Sequence, residues 1–259
     1  MTQNTLREET VLYHNPYATA AAMGLLMLFA SGCASVTTPP IEVGPREGFE
    51  ASALNRVAVV PFYATDPFGL EPEMHAHMLA VYEGAAVDTL KGLGLEVLGP
   101  SQVRDALAQA DRLDELKVRL DLDRPIDGLF EGGGPFAPQR DSVDDRSTFI
   151  KELALLLKVD AVLLGEVIYH TDARCEASTS STYTPHVVVD GKGRPNGETV
   201  PCAVSHFQAK LLEPIEVKPI WYNRALREVR AVEPDGPQPD LDDNARQTVD
   251  LVLLEANKG

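Results

Sequence analysis

The run Ala161-Val-Leu-Leu-Gly-Glu-Val-Ile-Tyr169 has the composition of a β-strand. It follows residues 147–158, in which apolar side chains recur at helical spacing and form one broad stripe. The stripe consists of Phe149, Ile150, Leu153, Leu156 and Leu157. Only Val159 and Asp160 separate the helical pattern from the strand. A helix that leads directly into a strand is an α/β unit, so this stretch predicts an α/β fold.

Strands and helices alternate elsewhere in the chain as well. The pattern predicts strands at 56–62, 95–98, 203–212 and 217–225, and helices at 72–91, after Ser101 as N-cap and after Asp240 as N-cap. This order predicts a two- or three-layer α/β domain with a mixed sheet of about five strands flanked by helices. The sheet is expected to be parallel early in the chain and antiparallel late.

The N-terminal stretch 18–30 is apolar and uncharged, but it is shorter than the about 20 residues that a membrane-spanning helix needs. Its length is that of a signal-peptide h-region. The residues Ala30-Ser31-Gly32-Cys33 resemble the lipobox of bacterial lipoproteins. The resemblance implies cleavage before Cys33 and attachment of acyl chains, such as palmitate, to its sulfur and its new amino terminus. The alternative is a buried helix with a chance cysteine at its end.

Two departures from the lipobox pattern lie upstream. Residues 1–17 are long for an n-region, and they carry Glu8 and Glu9 against the single Arg7. An atypical n-region or a misplaced start codon would explain both.

The predicted organisation has three parts: a signal peptide at 1–32, the lipidated cysteine and a flexible tether at 33–54, and a single α/β periplasmic domain at 55–259. A long loop at 121–146 and an insertion at 175–202 interrupt the domain. In the best-studied sorting system, an aspartate after the lipidated cysteine retains a lipoprotein in the inner membrane. Ala34 occupies that position, so we expect the outer membrane.

The charge argues against two kinds of partner. The chain carries a formal net charge of −16, and residues 1–32 hold one arginine and two glutamates, which leaves the mature protein at −15. Nucleic acid would repel such a surface. Anionic lipid headgroups would repel it equally, so the acyl chains on Cys33 are expected to hold the membrane.

Cys175 and Cys202 remain as a pair once Cys33 is lipidated. In an oxidising compartment a disulfide between them is the default expectation. The alternative is a metal site that adds His170 and His206. Because His170 and Cys175 are an odd number of residues apart, they face opposite sides of a regular strand, which argues against that site.

Glu166 lies inside an apolar strand, which makes it the one carboxylate with the prospect of burial. Its more ordinary place is a sheet face that meets solvent or a helix end, and the alternative is a catalytic acid. Lipase, zinc-protease, β-lactamase and dinucleotide fingerprints are absent from the sequence. The sequence therefore predicts no catalytic residue, no cofactor and no metal, and we expect a protein that is not an enzyme.

Three stretches resemble one group of periplasmic lipoproteins. They are Arg56-Val-Ala-Val-Val-Pro-Phe62, the helix and strand at 153–167, and the strand at 217–225 with Trp221. Together they are similar to the CsgG/LpoB-like group, over residues 55–225. The resemblance implies an anticodon-binding-domain-like fold. The acidic loop and the cysteine-bounded insertion are not part of that pattern.

Three hypotheses follow for function. The first is a lipid-anchored periplasmic protein that binds another envelope protein and activates or assembles a complex that handles peptidoglycan or polysaccharide. The second is a homo-oligomeric, ring-forming subunit of an outer-membrane secretion or export apparatus. The third is an enzyme of unrecognised type that uses Glu166 and a histidine.

Overall fold

The computed structural model describes residues 35–37, 54–64, 70–120, 145–176, 199–215 and 217–254. The chain divides into two units, Met1–Cys33 and Ala34–Gly259, and every described residue belongs to the second. The predicted signal peptide, the predicted lipidation at Cys33, and most of the loop at 121–146 and the insertion at 175–202 therefore lie outside the described residues.

Seven strands and five helices are found in the described residues. The strands are β1 (Ser35–Thr37), β2 (Arg56–Val59), β3 (Tyr63–Ala64), β4 (Glu96–Leu98), β5 (Ala161–Glu176), β6 (Thr199–Glu213) and β7 (Lys218–Arg230). The helices are α1 (Pro72–Gly92), α2 (Pro100–Gln109), α3 (Leu113–Leu120), α4 (Asp145–Leu157) and α5 (Leu241–Leu254).

The strands form one mixed sheet in the order β1-β7-β6-β5-β2-β4, and β3 pairs with β5 beyond the end of β2. β2 is parallel to β4 and β5, whereas β6 is antiparallel to both β5 and β7. The predicted α/β class and mixed sheet, parallel early and antiparallel late, are confirmed. The sheet has six strands in line and the short β3, against the expected five or so.

Helices cover both faces of the sheet, so the domain has three layers. On one face, which we call the α1 face, Leu163 and Phe207 pack with Tyr82 of α1 and Val249 of α5. On the other, the α4 face, Val162, Leu164 and Leu212 pack with side chains of α2, α3 and α4. Each face receives alternate residues of β5 and β6, as the pleat requires.

Asp160 joins the starts of the two central parallel strands. Its Oδ2 accepts hydrogen bonds from the backbone N–H groups of Asn55 and Arg56, both at 2.9 Å. The backbone N–H of Asp160 in turn donates to the carbonyl oxygen of Arg56 at 2.8 Å. The two-residue connection between α4 and β5 therefore fixes β2 beside β5.

Helix boundaries follow their capping chemistry. Asp240 caps α5 as predicted, because its Oδ1 accepts the N–H of Asp243 at 2.9 Å. The helix predicted after Ser101 as N-cap begins two residues earlier, at Pro100, where Gly99 is the N-cap and Gln102 Oε1 accepts the Gly99 N–H at 2.9 Å. The helix α3 was not predicted.

The predicted tether at 33–54 contains a strand. β1 pairs antiparallel with β7, with Ser35 opposite Val229 and Thr37 opposite Arg227. Pro39 and Pro40 follow shortly after in the sequence. Because proline has no N–H to donate to a ladder, this pair of residues gives a physical reason for the shortness of β1.

Candidate functional site

Cys175 and Cys202 form a disulfide in the structure, with their Cα atoms 5.9 Å apart. They lie diagonally across the β5–β6 ladder, where Cys175 is opposite Val200 and Cys202 is opposite Ala173. Both cysteines are buried and pack with Val204. The bridge therefore joins two antiparallel strands at the point where the insertion leaves the sheet.

The four residues of the alternative metal site do not converge. His170 lies on the α1 face, where its ring meets Tyr82 edge to face with centroids 5.5 Å apart. His206 stacks on Tyr169 at 6.0 Å on the opposite face, and the two cysteine sulfurs are bonded to each other. Within the described ranges, no group of three His, Cys, Asp or Glu side chains has an arrangement suited to a metal ion.

Glu166 does not meet solvent, because only 2% of it is exposed, so the expectation of a solvent-facing place on the sheet was wrong. Its side chain is buried on the α4 face of the sheet, and its Oε2 accepts a hydrogen bond from Gln208 Nε2 at 2.5 Å. Gln208 Oε1 accepts the hydroxyl of Tyr222 at 3.2 Å. Lys210 lies next to Gln208 on the same face of β6, opposite Tyr222. We call Glu166, Gln208, Lys210 and Tyr222 the polar band.

The polar band continues the apolar cluster under α4 along the same strands. Leu164 precedes Glu166 on that face of β5, and Leu212 follows Lys210 on that face of β6. All four members are buried, with Lys210 only 2% exposed. Buried polar groups need hydrogen-bond partners, and the Glu166–Gln208–Tyr222 chain supplies them across three strands.

Burial also changes the proton chemistry of this face. It lowers the pKa of Lys210 to about 8, because the charged ammonium loses its water. His206 precedes Gln208 by two residues on β6. Its pKa falls to about 4 through burial and the nearby Arg224 guanidinium. A lysine with a pKa near 8 is able to act as a base or a nucleophile. At 2% exposure, however, Lys210 and Glu166 do not meet a solute in this structure.

Sequence reasoning identified Glu166 but missed its partners. His206, Gln208 and Lys210 alternate with apolar residues inside an otherwise apolar strand. This two-residue period indicates that one face of the strand is polar, and it could have identified these residues as neighbours on that face. That the polar face meets Glu166 depends on the β5–β6 register, which joins residues 42 positions apart.

A second group of titratable residues joins three elements on the α1 face. Asp242 of α5 lies between two histidines: its Oδ2 is 2.9 Å from His77 Nε2, and its Oδ1 is 4.0 Å from His170 Nε2. The His77 side chain is 65% exposed, whereas that of His170 is only 8% exposed. Burial lowers the pKa of His170 to about 4, and the charge of Asp242 opposes that shift.

His75 is half-buried on α1, two residues from His77, so the two imidazoles do not share a face. The Cys33 lipidation has no described surroundings. Among the helices of the described residues, none combines the length and the apolar composition needed to cross a bilayer.

No protein-family model matches this chain. No curated protein matches it either. Among solved structures, the chain is similar to the PelC dodecamer from Paraburkholderia phytofirmans, with 11% identity over 87% of this chain and 98% of that chain and a TM-score of 0.39. It is also similar to lipoprotein GNA1162 from Neisseria meningitidis, with 15% identity over 69% of this chain and 85% of that chain and a TM-score of 0.38. Neither similarity assigns a role to a residue of this chain, and the resemblance to the CsgG/LpoB-like group stays a prediction.

Proposed function

We propose that this chain is a lipid-anchored protein of the bacterial envelope that works by binding another envelope protein. In its finer form, the proposal is an outer-membrane lipoprotein whose periplasmic domain activates or assembles a complex that handles peptidoglycan or polysaccharide. The observation that carries the proposal is the Cys175–Cys202 disulfide in a domain that follows a lipobox-like segment. Disulfides persist in oxidising compartments such as the periplasm, which is where a lipobox directs a protein.

Exposed apolar side chains at one end of the sheet support partner binding. Leu155 and Leu156 in the last turn of α4 are 78% and 39% exposed, and Ile215 in the β6–β7 turn is 79% exposed. These residues lie at the same end, because Val162 at the start of β5 is opposite Leu212 at the end of β6. We call this end the turn end. Apolar residues gathered at one end of an acidic domain favour contact with a protein.

In-cell photocrosslinking tests this proposal. A photoreactive amino acid replaces Leu155 at the turn end, and in a matched control it replaces Arg246, which is exposed on α5. We expect Leu155 to capture one dominant envelope synthase or assembly protein, with Arg246 capturing much less and Cys33→Ala abolishing the capture. Crosslinks mainly from one copy to another, in a ladder that ends at one size, would support the ring-forming alternative and overturn the activator.

The proposal includes the absence of catalysis by this chain. The sharpest enzymatic alternative uses Glu166 of the polar band as an acid. We expect Glu166→Gln to retain partner capture and the cellular phenotype, because an amide oxygen preserves an acceptor for Gln208. Hydrolase or transferase activity in the purified mature protein, lost in Glu166→Gln, would overturn this part of the proposal.

A further inference from the structure

The position of β1 limits where the lipid anchor can be. Ser35 is opposite Val229, close to the last residue of β7. Two peptide units join Cys33 to Ser35 in the sequence. Two fully extended residues span at most about 7 Å, so this connection is short. Acyl chains attached two residues before Ser35 would therefore be tied closely to the end of β7.

The same end of the sheet is firmly tied together. It holds the Cys175–Cys202 bridge and the loop that leaves β7, and we call it the anchor end. The loop is fixed by three contacts: the Ala231 N–H donates to the Pro201 carbonyl at 2.8 Å, Gln238 Nε2 donates to the Cys202 carbonyl at 2.7 Å, and the Arg174 guanidinium donates to the Pro234 carbonyl at 3.1 Å. The anchor end is thus a defined surface.

Val232 projects from this fixed loop and is 62% exposed. It lies three residues beyond Val229, the partner of Ser35. Its neighbours Glu233 and Asp235 are also exposed, so anionic headgroups would not attract this surface. An apolar side chain beside an acylated residue fits the uncharged, apolar part of a lipid surface.

The turn end is far from this surface. β6 and β7 pair from Cys202 opposite Arg230 to Glu213 opposite Lys218. At about 3.3 Å per residue, the two ends of this ladder are about 35 Å apart. Ile215 lies beyond the Glu213 end, so it does not reach a bilayer that touches Val232.

We propose that the domain rests directly on the lipid bilayer through its anchor end, with β1 fastening the acylated Cys33 to the sheet. The contact is with the lipid surface around the acyl chains, and Val232 is its apolar side chain. The domain then stands with its strands leading away from the membrane and presents Leu155, Leu156 and Ile215 to the periplasm. This inference rests on the lipidation of Cys33 in the proposed function.

Fluorescence quenching in phosphatidylcholine nanodiscs tests the orientation on the full lipidated protein. An environment-sensitive fluorophore is attached to Val232→Cys or, as the matched control, to Ile215→Cys, since the native pair is held in its disulfide. Lipids that carry a quenching nitroxide are expected to quench the fluorophore at 232 severalfold more than the one at 215. Equal quenching at the two positions would overturn the proposal.

Two double variants test whether β1 fastens the lipid anchor to the sheet. Val36→Pro with Thr37→Pro removes both N–H groups from the strand, whichever of them faces β7. Val36→Ala with Thr37→Ala keeps them. We expect the proline pair to abolish the difference in quenching between 232 and 215 and the alanine pair to preserve it. A proline pair that leaves the difference intact would contradict the fastening by β1.

The two proposals fail in distinguishable ways. Mass spectrometry of the membrane-extracted protein reports whether Cys33 is acylated. An unmodified Cys33 removes the basis of the proposed function and of this inference together. An acylated Cys33 with an unquenched fluorophore at 232 leaves the proposed function intact and overturns only the orientation.

Discussion

Gly165 is required by close packing on the α1 face. A Cβ built there would lie 2.6 Å from two ring carbons of Phe62, which is itself buried against Phe207 with centroids 5.3 Å apart. We expect Gly165→Ala to destabilise the domain by about 1–3 kcal/mol, as overpacked cores do. Gly84, exposed on α1, has no atom within 4 Å of its Cβ position, so Gly84→Ala should stabilise by about 0.5–1 kcal/mol. Urea unfolding of both variants measures this contrast, and a neutral Gly165→Ala would contradict the packing.

His170 makes the stability of the domain depend on pH. Its pKa falls to about 4 in the folded protein, against about 6.5 in the unfolded chain. Between these values the unfolded chain binds more protons, so the free energy of unfolding decreases as the pH falls from about 6.5 to about 4. Because one unit of pKa is worth about 1.4 kcal/mol, the free energy of unfolding falls by about 3 kcal/mol over this range.

The test compares His170→Gln with His75→Gln, since His75 is a half-buried histidine away from Asp242. Urea midpoints measured from pH 7 to pH 4.5 should fall less steeply in His170→Gln than in the parent protein. His206 has its pKa lowered in the same direction, so part of the slope should remain. The same slope in both variants would show that His170 is not the titrating group.

Among the elements, the β5–β6 pair contributes stability through its disulfide. Cys175 and Cys202 are 27 residues apart in the sequence. Constraining a loop of that length in the unfolded chain stabilises the folded state by about 3–4 kcal/mol on the chain-entropy account. We expect Cys175→Ser with Cys202→Ser to lower the urea midpoint accordingly, with Cys33→Ala, in the mature protein, as the control that leaves it unchanged. Equal midpoints with and without the bridge would show that the strands hold each other without it.

The spacing of apolar residues predicted those helices and strands whose apolar residues lie close together in the sequence. The helices α1 and α5 and the starts of β5 and β7 agree with their patterns. The second half of β5 was missed because His170-Thr-Asp-Ala-Arg174 is mostly polar, and its pairing with β6 decides its structure. The strand β1 has a single apolar residue, and its partner β7 lies almost 200 residues later in the sequence. Long-range register was also what concealed the partners of Glu166, although its strand was predicted.

At the scale of the whole molecule, the negative charge opposes contact with an anionic membrane, whereas the proposed lipid anchor favours it. Residues 33–259 carry a net charge of −15, so electrostatic attraction to an anionic bilayer would not hold them there. Acyl chains on Cys33, each CH₂ contributing about 0.8 kcal/mol, would hold them regardless of salt. We therefore expect the wild-type protein to stay in the membrane fraction through washes with high salt and alkaline carbonate, and to be released by detergent.

The variant Cys33→Ala distinguishes attachment through acyl chains from attachment through the protein surface. Without acyl chains, the acidic domain has no attraction to the bilayer beyond Val232 at its anchor end, and one exposed side chain stabilises membrane contact by only about 1–2 kcal/mol. The variant, produced without residues 1–32 so that the apolar stretch 18–30 is absent, should therefore appear in the soluble fraction at every salt concentration. If Cys33→Ala instead stays with the membrane at low salt and leaves it at high salt, a charged surface or a protein partner holds the domain, and the acylated cysteine is not its main attachment.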